Sequence, residues 1–120
     1  MPILESLLHT LQNNLAAMER KNEELDKLVG EPTRGNGHHF ERESQIKVAR
    51  EELERLTSAA KEGLEAILER GCELKDARTG LLDFRAVRDD RVVYLCWRQG
   101  ESEIAYWHEL EGGFAGRQPL

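Results

Sequence analysis

The sequence predicts an α+β protein, a long antiparallel helical hairpin followed by a four-stranded antiparallel β-meander packed on the base of the hairpin. Three observations predict it. Apolar residues recur at helical spacing from Ile3 to about Arg70, the period changes to two after Gly71, and the Gly/Pro-containing stretch GEPTRGNG at 30–37 interrupts the helical half. The 120 residues have the size of one domain, with the hairpin over 3–70, a loop at 30–40, and the sheet and tail over 71–120.

In the first helix Leu4, Leu11, Met18 and Leu25 form one row at intervals of seven, and Leu8, Leu15, Asn22 and Val29 form a second beside it. Steps of four and three of this kind are a coiled-coil seam. Gly30 and Pro32 stop the helix. The second helix starts between Phe40 and Ser44 and carries Ile46, Ala49, Leu53, Leu56, Ala60, Gly63 and Ile67 on its seam. Its small residues admit another helix closely, and Gly71 ends it.

Four strands follow, near 72–76, 81–87, 92–98 and 103–108, with turns at Thr79-Gly80, Asp89-Asp90 and Gly100-Glu101. A two-residue turn at Asp89-Asp90 sets Leu82 opposite Trp97, Phe84 opposite Leu95 and Ala86 opposite Val93. A turn at Gly100-Glu101 sets Trp97 opposite Ile104, Leu95 opposite Tyr106 and Val93 opposite His108. Both hairpins then sort their residues onto the same two faces, which a one-residue slip would mix. The face with 82, 84, 86, 93, 95, 97, 104 and 106 is apolar and should lie on the helices. The other carries Asp83, Arg85, Tyr94, Cys96, Arg98, Glu103 and Trp107.

Each helix of about 26 residues is roughly 39 Å long, whereas a seven-residue strand covers roughly 23 Å. The sheet therefore leaves the far end of the hairpin uncovered. This predicts a homodimer through Met18, Asn22, Leu25, Ile46 and Leu53, in a four-helix arrangement. Asn22 has two readings: pairing with its symmetry mate to fix register, or simple contact with water.

The net charge of −6 argues against nucleic-acid phosphates and anionic membranes as partners, leaving only the arginines at 85, 88, 91 and 98 as a local basic patch. No apolar run is long enough to span a bilayer, and the first residues do not resemble a signal peptide. Cys72 and Cys96 have no metal-finger spacing and read as buried free thiols of a cytoplasmic protein.

Two constellations carry candidate chemistry. Asp83, Arg85, Tyr94, Cys96 and Trp107, with Arg117 from the tail, could line a ligand pocket if the second sheet face is covered. The plain alternative is an Asp–Arg pair and aromatic packing on a half-solvated sheet. His108 and Glu109, with Glu111, are the candidate metal ligands; Asp76 or Asp83 can join only if the fold brings them near. The alternative for His108 is a hydrogen-bonded residue at the core edge. Strand parity places His108 opposite to Cys96 and so argues against a Cys–His pair. His38 and His39 read as solvated loop residues. GGFAG at 112–116 lacks a following helix and is not a phosphate loop; Phe114 is expected to anchor the tail, and Arg117 to reach Asp83 or Asp76.

The strings GCELKDARTGLLDF and VYLCWRQGESEIAYWHELEGGFAGRQPL resemble the bacterial and archaeal domain-of-unknown-function family 2203. The matching motifs are Lys75-Asp76, Gly80 to Phe84, Leu95 to Trp97, Trp107-His108 and Gly113 to Arg117. The resemblance implies a helical hairpin before the sheet and, in other members, a short segment ahead of the first helix. It implies no activity and no cofactor, and none is expected. The residues alone favour a non-enzymatic oligomeric interaction module. The alternative is a small-ligand or metal-binding protein, including an enzyme, that uses the mixed sheet face and the WHELEGGFAGR stretch.

Overall fold

The computed structural model describes the backbone of residues 1–30 and 35–120 and the side chains of residues 1–30 and 40–120. Helices α1 (Pro2–Gly30) and α2 (Gly35–Leu68) precede strands β1 (Cys72–Asp76), β2 (Leu81–Arg88), β3 (Arg91–Arg98), β4 (Tyr106–His108) and β5 (Gln118–Pro119), with a 3-10 turn at Phe114–Gly116. Of the loop expected at 30–40, residues 31–34 lie outside the described residues, as do the side chains of His38 and His39. α2 begins earlier than its apolar stripe, because the stripe marks where a helix packs and not where its hydrogen bonds begin.

The chain divides into two compact units, Leu11–Glu62 and Met1–Thr10 with Gly63–Leu120. In the first, Leu25, Ile46 and Ala49 form a buried cluster, with Leu28 and Leu53 packed against it. Burying one such Leu or Ile contributes about 1.5–3 kcal/mol. Arg42 of α2 donates from Nε to the carbonyl of Leu28 at 2.6 Å and from Nη2 to that of Val29 at 2.7 Å. It thereby satisfies carbonyls that the end of α1 leaves without partners. Of the expected second seam row, Leu8 is buried in the other unit, but the members in this one do not turn inward: Asn22 is exposed, Leu15 is 36% exposed and Val29 54%. Lys21 and Leu28 take the inward places. A lysine stem can lie along a groove while its ammonium reaches water or Glu24, here at 2.8 Å; an unpartnered Asn there would cost desolvation.

In the second unit the strands run in the order β1-β2-β3-β4-β5, all antiparallel. Gly71, at φ 86°, ends α2 in the left-handed conformation that glycine tolerates best. Asp89 and Asp90 have φ of 52° and 61°, the two positive values of a type I′ turn, which matches strand twist. That turn fixes β2 on β3 in the expected register, Leu82 opposite Trp97, Asp83 opposite Cys96 and Phe84 opposite Leu95.

The next hairpin differs from expectation. β4 starts only at Tyr106, and the pairs are Tyr94 with His108, Leu95 with Trp107 and Cys96 with Tyr106. The connection is a loop organised by Glu101 in place of a two-residue turn. The Glu101 carbonyl accepts the Trp97 indole N–H at 3.0 Å, and its carboxylate accepts the Arg98 N–H and an Arg117 N–H, both at 2.6 Å. Trp97 and Arg98 stay paired with β2, but the β4 register on β3 is shifted by one residue from expectation, which turns every side chain of β4 to the other face. Trp107 therefore joins the apolar face and His108 the polar one. The fifth strand, also unexpected, is a two-residue pairing of the tail with β4, too short to carry a period.

The buried apolar residues of this unit are Leu4, Leu8, Ile67, Cys72, Leu82, Val93, Trp97 and Trp107, together with Tyr94 and Cys96 of the other face. The tail holds that other face through β5, the Leu120 N–H to the Ala105 carbonyl at 3.0 Å, and Arg117. Arg117 donates to the Cys96 carbonyl at 3.3 Å and to Glu101, and its guanidinium lies 4.0 Å from the Tyr106 ring centroid. Its expected partner was Asp83 or Asp76; the loop places Glu101 nearer. Phe114 does not anchor the tail in the core: it is 42% exposed, beside the guanidinium groups of Arg98 and Arg117.

Candidate functional site

Asp83 on β2, Cys96 on β3 and His108 on β4 sit side by side on three adjacent strands. Direct pairing of Asp83 with Cys96, and the one-residue slip of β4, bring them to one face. All three are buried, at 2%, 0% and 2% exposure. One ligand atom from each, a carboxylate oxygen, Sγ and a ring nitrogen, lie within 4.8 Å of one another.

The hydrogen bonds of His108 fix its chemistry. Nδ1 lies 2.7 Å from the carbonyl oxygen of Glu109, which can only accept, so Nδ1 carries a hydrogen. Nε2 lies 3.1 Å from both oxygens of Asp83. Two unprotonated groups at that distance would set lone pair against lone pair, so one proton is held between them. The pair is neutral overall whichever partner carries it, which is how a buried carboxylate tolerates its surroundings. Burial, reinforced by the Asp83 charge, pushes the Cys96 thiol up to about 11, so Cys96 is a neutral thiol at ordinary pH. Burial opposes ionisation of Glu101, but the hydrogen bonds from Arg117 and the Arg98 N–H, with the two guanidinium charges, together outweigh it and hold that carboxyl below its usual range.

A cleft of about 220 Å³ opens over the group, with Asp83, Tyr94 and His108 on one side and Leu110, Glu111, Gly113 and Phe114 of the tail on another. Lys75 and Leu81 complete the lining. The Tyr94 ring lies 5.4 Å from that of His108, and the Lys75 ammonium lies 4.9 Å from the Tyr94 centroid.

Of the residues singled out in the sequence, the structure gathers Asp83, Tyr94 and Cys96 with His108. Arg85 lies on the exposed side of Tyr94, 5.8 Å from its centroid, and pairs with Glu73 at 3.5 Å. Trp107 faces away, buried on the apolar side beneath Arg88. Glu109 gives its backbone carbonyl to His108, while its carboxylate pairs with Arg91 at 2.9 Å, outside the group. The separation of Cys96 from His108 expected from strand parity is overturned by the slip of β4. Lys75 is a cleft residue that sequence reasoning did not single out, because in β1 only Asp76 was weighed as a candidate.

Among the described residues no helix is long and apolar enough to cross a membrane. No curated protein and no solved structure matches the chain. One family model does, over residues 1–120, and the chain belongs to the family that this model describes, "Uncharacterized conserved protein (DUF2203)".

Proposed function

We propose that the protein binds a divalent transition metal, zinc by preference, through Asp83, Cys96 and His108. The observation that carries this reading is the convergence of the three ligand atoms within 4.8 Å on a buried sheet face. Zinc bonds of about 2.0–2.3 Å in a tetrahedron place neighbouring ligand atoms roughly 3.3–3.7 Å apart. The 3.1 Å between Nε2 and each Asp83 oxygen needs only a small opening to reach that value. A mixed N, S and O set suits a borderline-soft ion. The Glu109 carbonyl on Nδ1 is the outer partner that orients a ligating histidine and leaves Nε2 for the ion.

Charge supports the same reading. Without metal the group holds one proton between Asp83 and His108 and one on Cys96. A divalent ion that displaces both leaves a neutral site again, so exchange of ion for protons adds no net buried charge. Unpaired thiols at Cys72 and Cys96 fit a reducing compartment, and we place the protein in the cytoplasm on that ground.

The test is zinc titration of apo-protein against a chromogenic chelator in weakly buffered solution. One ion bound per chain, release of about two protons, and loss of binding in Cys96→Ser and His108→Gln are expected. Failure of the protein to compete with the chelator would overturn the reading.

A second reading concerns the unit Leu11–Glu62, and the exposed row of Leu15, Asn22 and Val29 at intervals of seven favours it. We propose that a second copy of the chain packs there, making the protein a homodimer. Leu25 and Ile46 are already buried within the chain, and Met18 and Leu53 are half-buried, so the outer row would supply most of the contact. Light scattering at micromolar concentration should give twice the chain mass, and Leu15→Ser with Val29→Ser should halve it. A monomeric mass for the unaltered protein would remove this reading.

A further inference from the structure

We infer that the cleft over Asp83 and His108 takes a small zwitterion, an α-amino acid with an apolar side chain, whose carboxylate enters the open coordination position of the bound ion. The inference rests on the metal reading. Among the described residues the group supplies three protein ligands, and zinc sites with three protein ligands keep a fourth position for water or substrate. That position faces the cleft, because Asp83 and His108 line it whereas Cys96 is fully buried and does not.

The lining of the cleft selects the ligand. Lys75 is a cation and Glu111 a carboxylate, so a bare anion meets repulsion from one and a bare cation from the other; a molecule carrying both charges satisfies both. Lys75 lies over the Tyr94 ring at the cleft, and its ion pair, with Glu73 at 3.2 Å, is an exposed one, weak enough to exchange for a ligand oxygen. Leu81, Leu110 and Phe114 provide apolar walls; Leu110 and Phe114 are 47% and 42% exposed, and an apolar side chain would cover them. Size decides the rest. At about 30 Å³ per water, the 220 Å³ cleft has room for roughly seven waters. That is the bulk of a leucine-sized molecule and falls short of the 300–1,000 Å³ of drug-sized pockets.

The experiment uses the full chain loaded with Co²⁺, whose visible spectrum reports thiolate ligation and coordination geometry together. Leucine is compared with 4-methylpentanoate, which lacks the ammonium, and with 3-methylbutylamine, which lacks the carboxylate. Leucine should change the ligand-field bands saturably while the thiolate charge-transfer band persists. Each truncated analogue, and leucine with Lys75→Met or Glu111→Gln, should bind roughly ten- to a hundredfold more weakly, the scale of one charge-assisted hydrogen bond. Equal binding of 4-methylpentanoate overturns the zwitterion in favour of a simple anion. A thiolate–cobalt band that no amino acid perturbs overturns this inference and leaves the metal site standing. Absence of the band overturns both.

Discussion

The central residues of the two faces of the β-sheet are buried to a similar degree but are of different kinds. On one, Leu82, Val93, Trp97 and Trp107 are covered and have nothing to offer but surface. On the other, Asp83, Cys96 and His108 are covered as completely, and their polar atoms are aimed at each other. Burying the first set is favourable by itself. Burying the second is costly unless a proton or an ion neutralises it. Equal exclusion of water therefore stabilises one set of residues and requires neutralisation of the other.

Substitutions can break this comparison. The largest loss of stability is expected from Trp97→Ala, about 3–5 kcal/mol by urea denaturation, since Trp97 is wholly buried and its space cannot be refilled. His108→Ala should cost about 3 kcal/mol, because it leaves the Asp83 carboxylate buried without its partner, and it should abolish zinc binding. Replacing both members, Asp83→Val with His108→Phe, sharpens the contrast. Stability should recover most of that loss, as apolar replacement of a buried ion pair often does, while zinc binding stays absent. If the double variant is no more stable than His108→Ala, the polar face contributes packing and not only chemistry.

A smaller effect should appear with pH. The unfolded Cys96 thiol ionises near 9.0, whereas the folded one is pushed up to about 11. Between those values the unfolded chain holds fewer protons, so metal-free stability should fall as pH rises from about 9 toward about 11. Below 9 this group contributes no slope. Cys72 is shifted in the same direction by burial, so the urea midpoint of Cys96→Ala should fall less steeply over that range without becoming flat. Smallest is Arg42→Ala in the helical unit, where loss of two bonds to the end of α1 should cost about 1 kcal/mol and leave zinc affinity unchanged.

Asp83, Cys96 and His108 were all legible in the sequence as chemistry-bearing residues, but in two separate sets. Their convergence was not legible, because it depends on the register of β4. The β2–β3 register follows from two adjacent aspartates that accept positive φ in a tight turn, and a turn of fixed length dictates pairing. The β3–β4 register follows from Glu101, which gathers Trp97, Arg98 and Arg117 from separate parts of the chain. No local pattern announces bonds of that kind.

Sequence by itself determined the two helices, the change of period after Gly71 and the first tight hairpin, all set by interactions between near neighbours in the chain. Tertiary structure decided which face Trp107 and His108 occupy, that the tail adds a fifth strand, and that Asp83, Cys96 and His108 are buried together. These outcomes rest on hydrogen bonds between distant residues, such as Arg117 with Glu101 and His108 with Asp83. Only the folded chain brings those groups within reach.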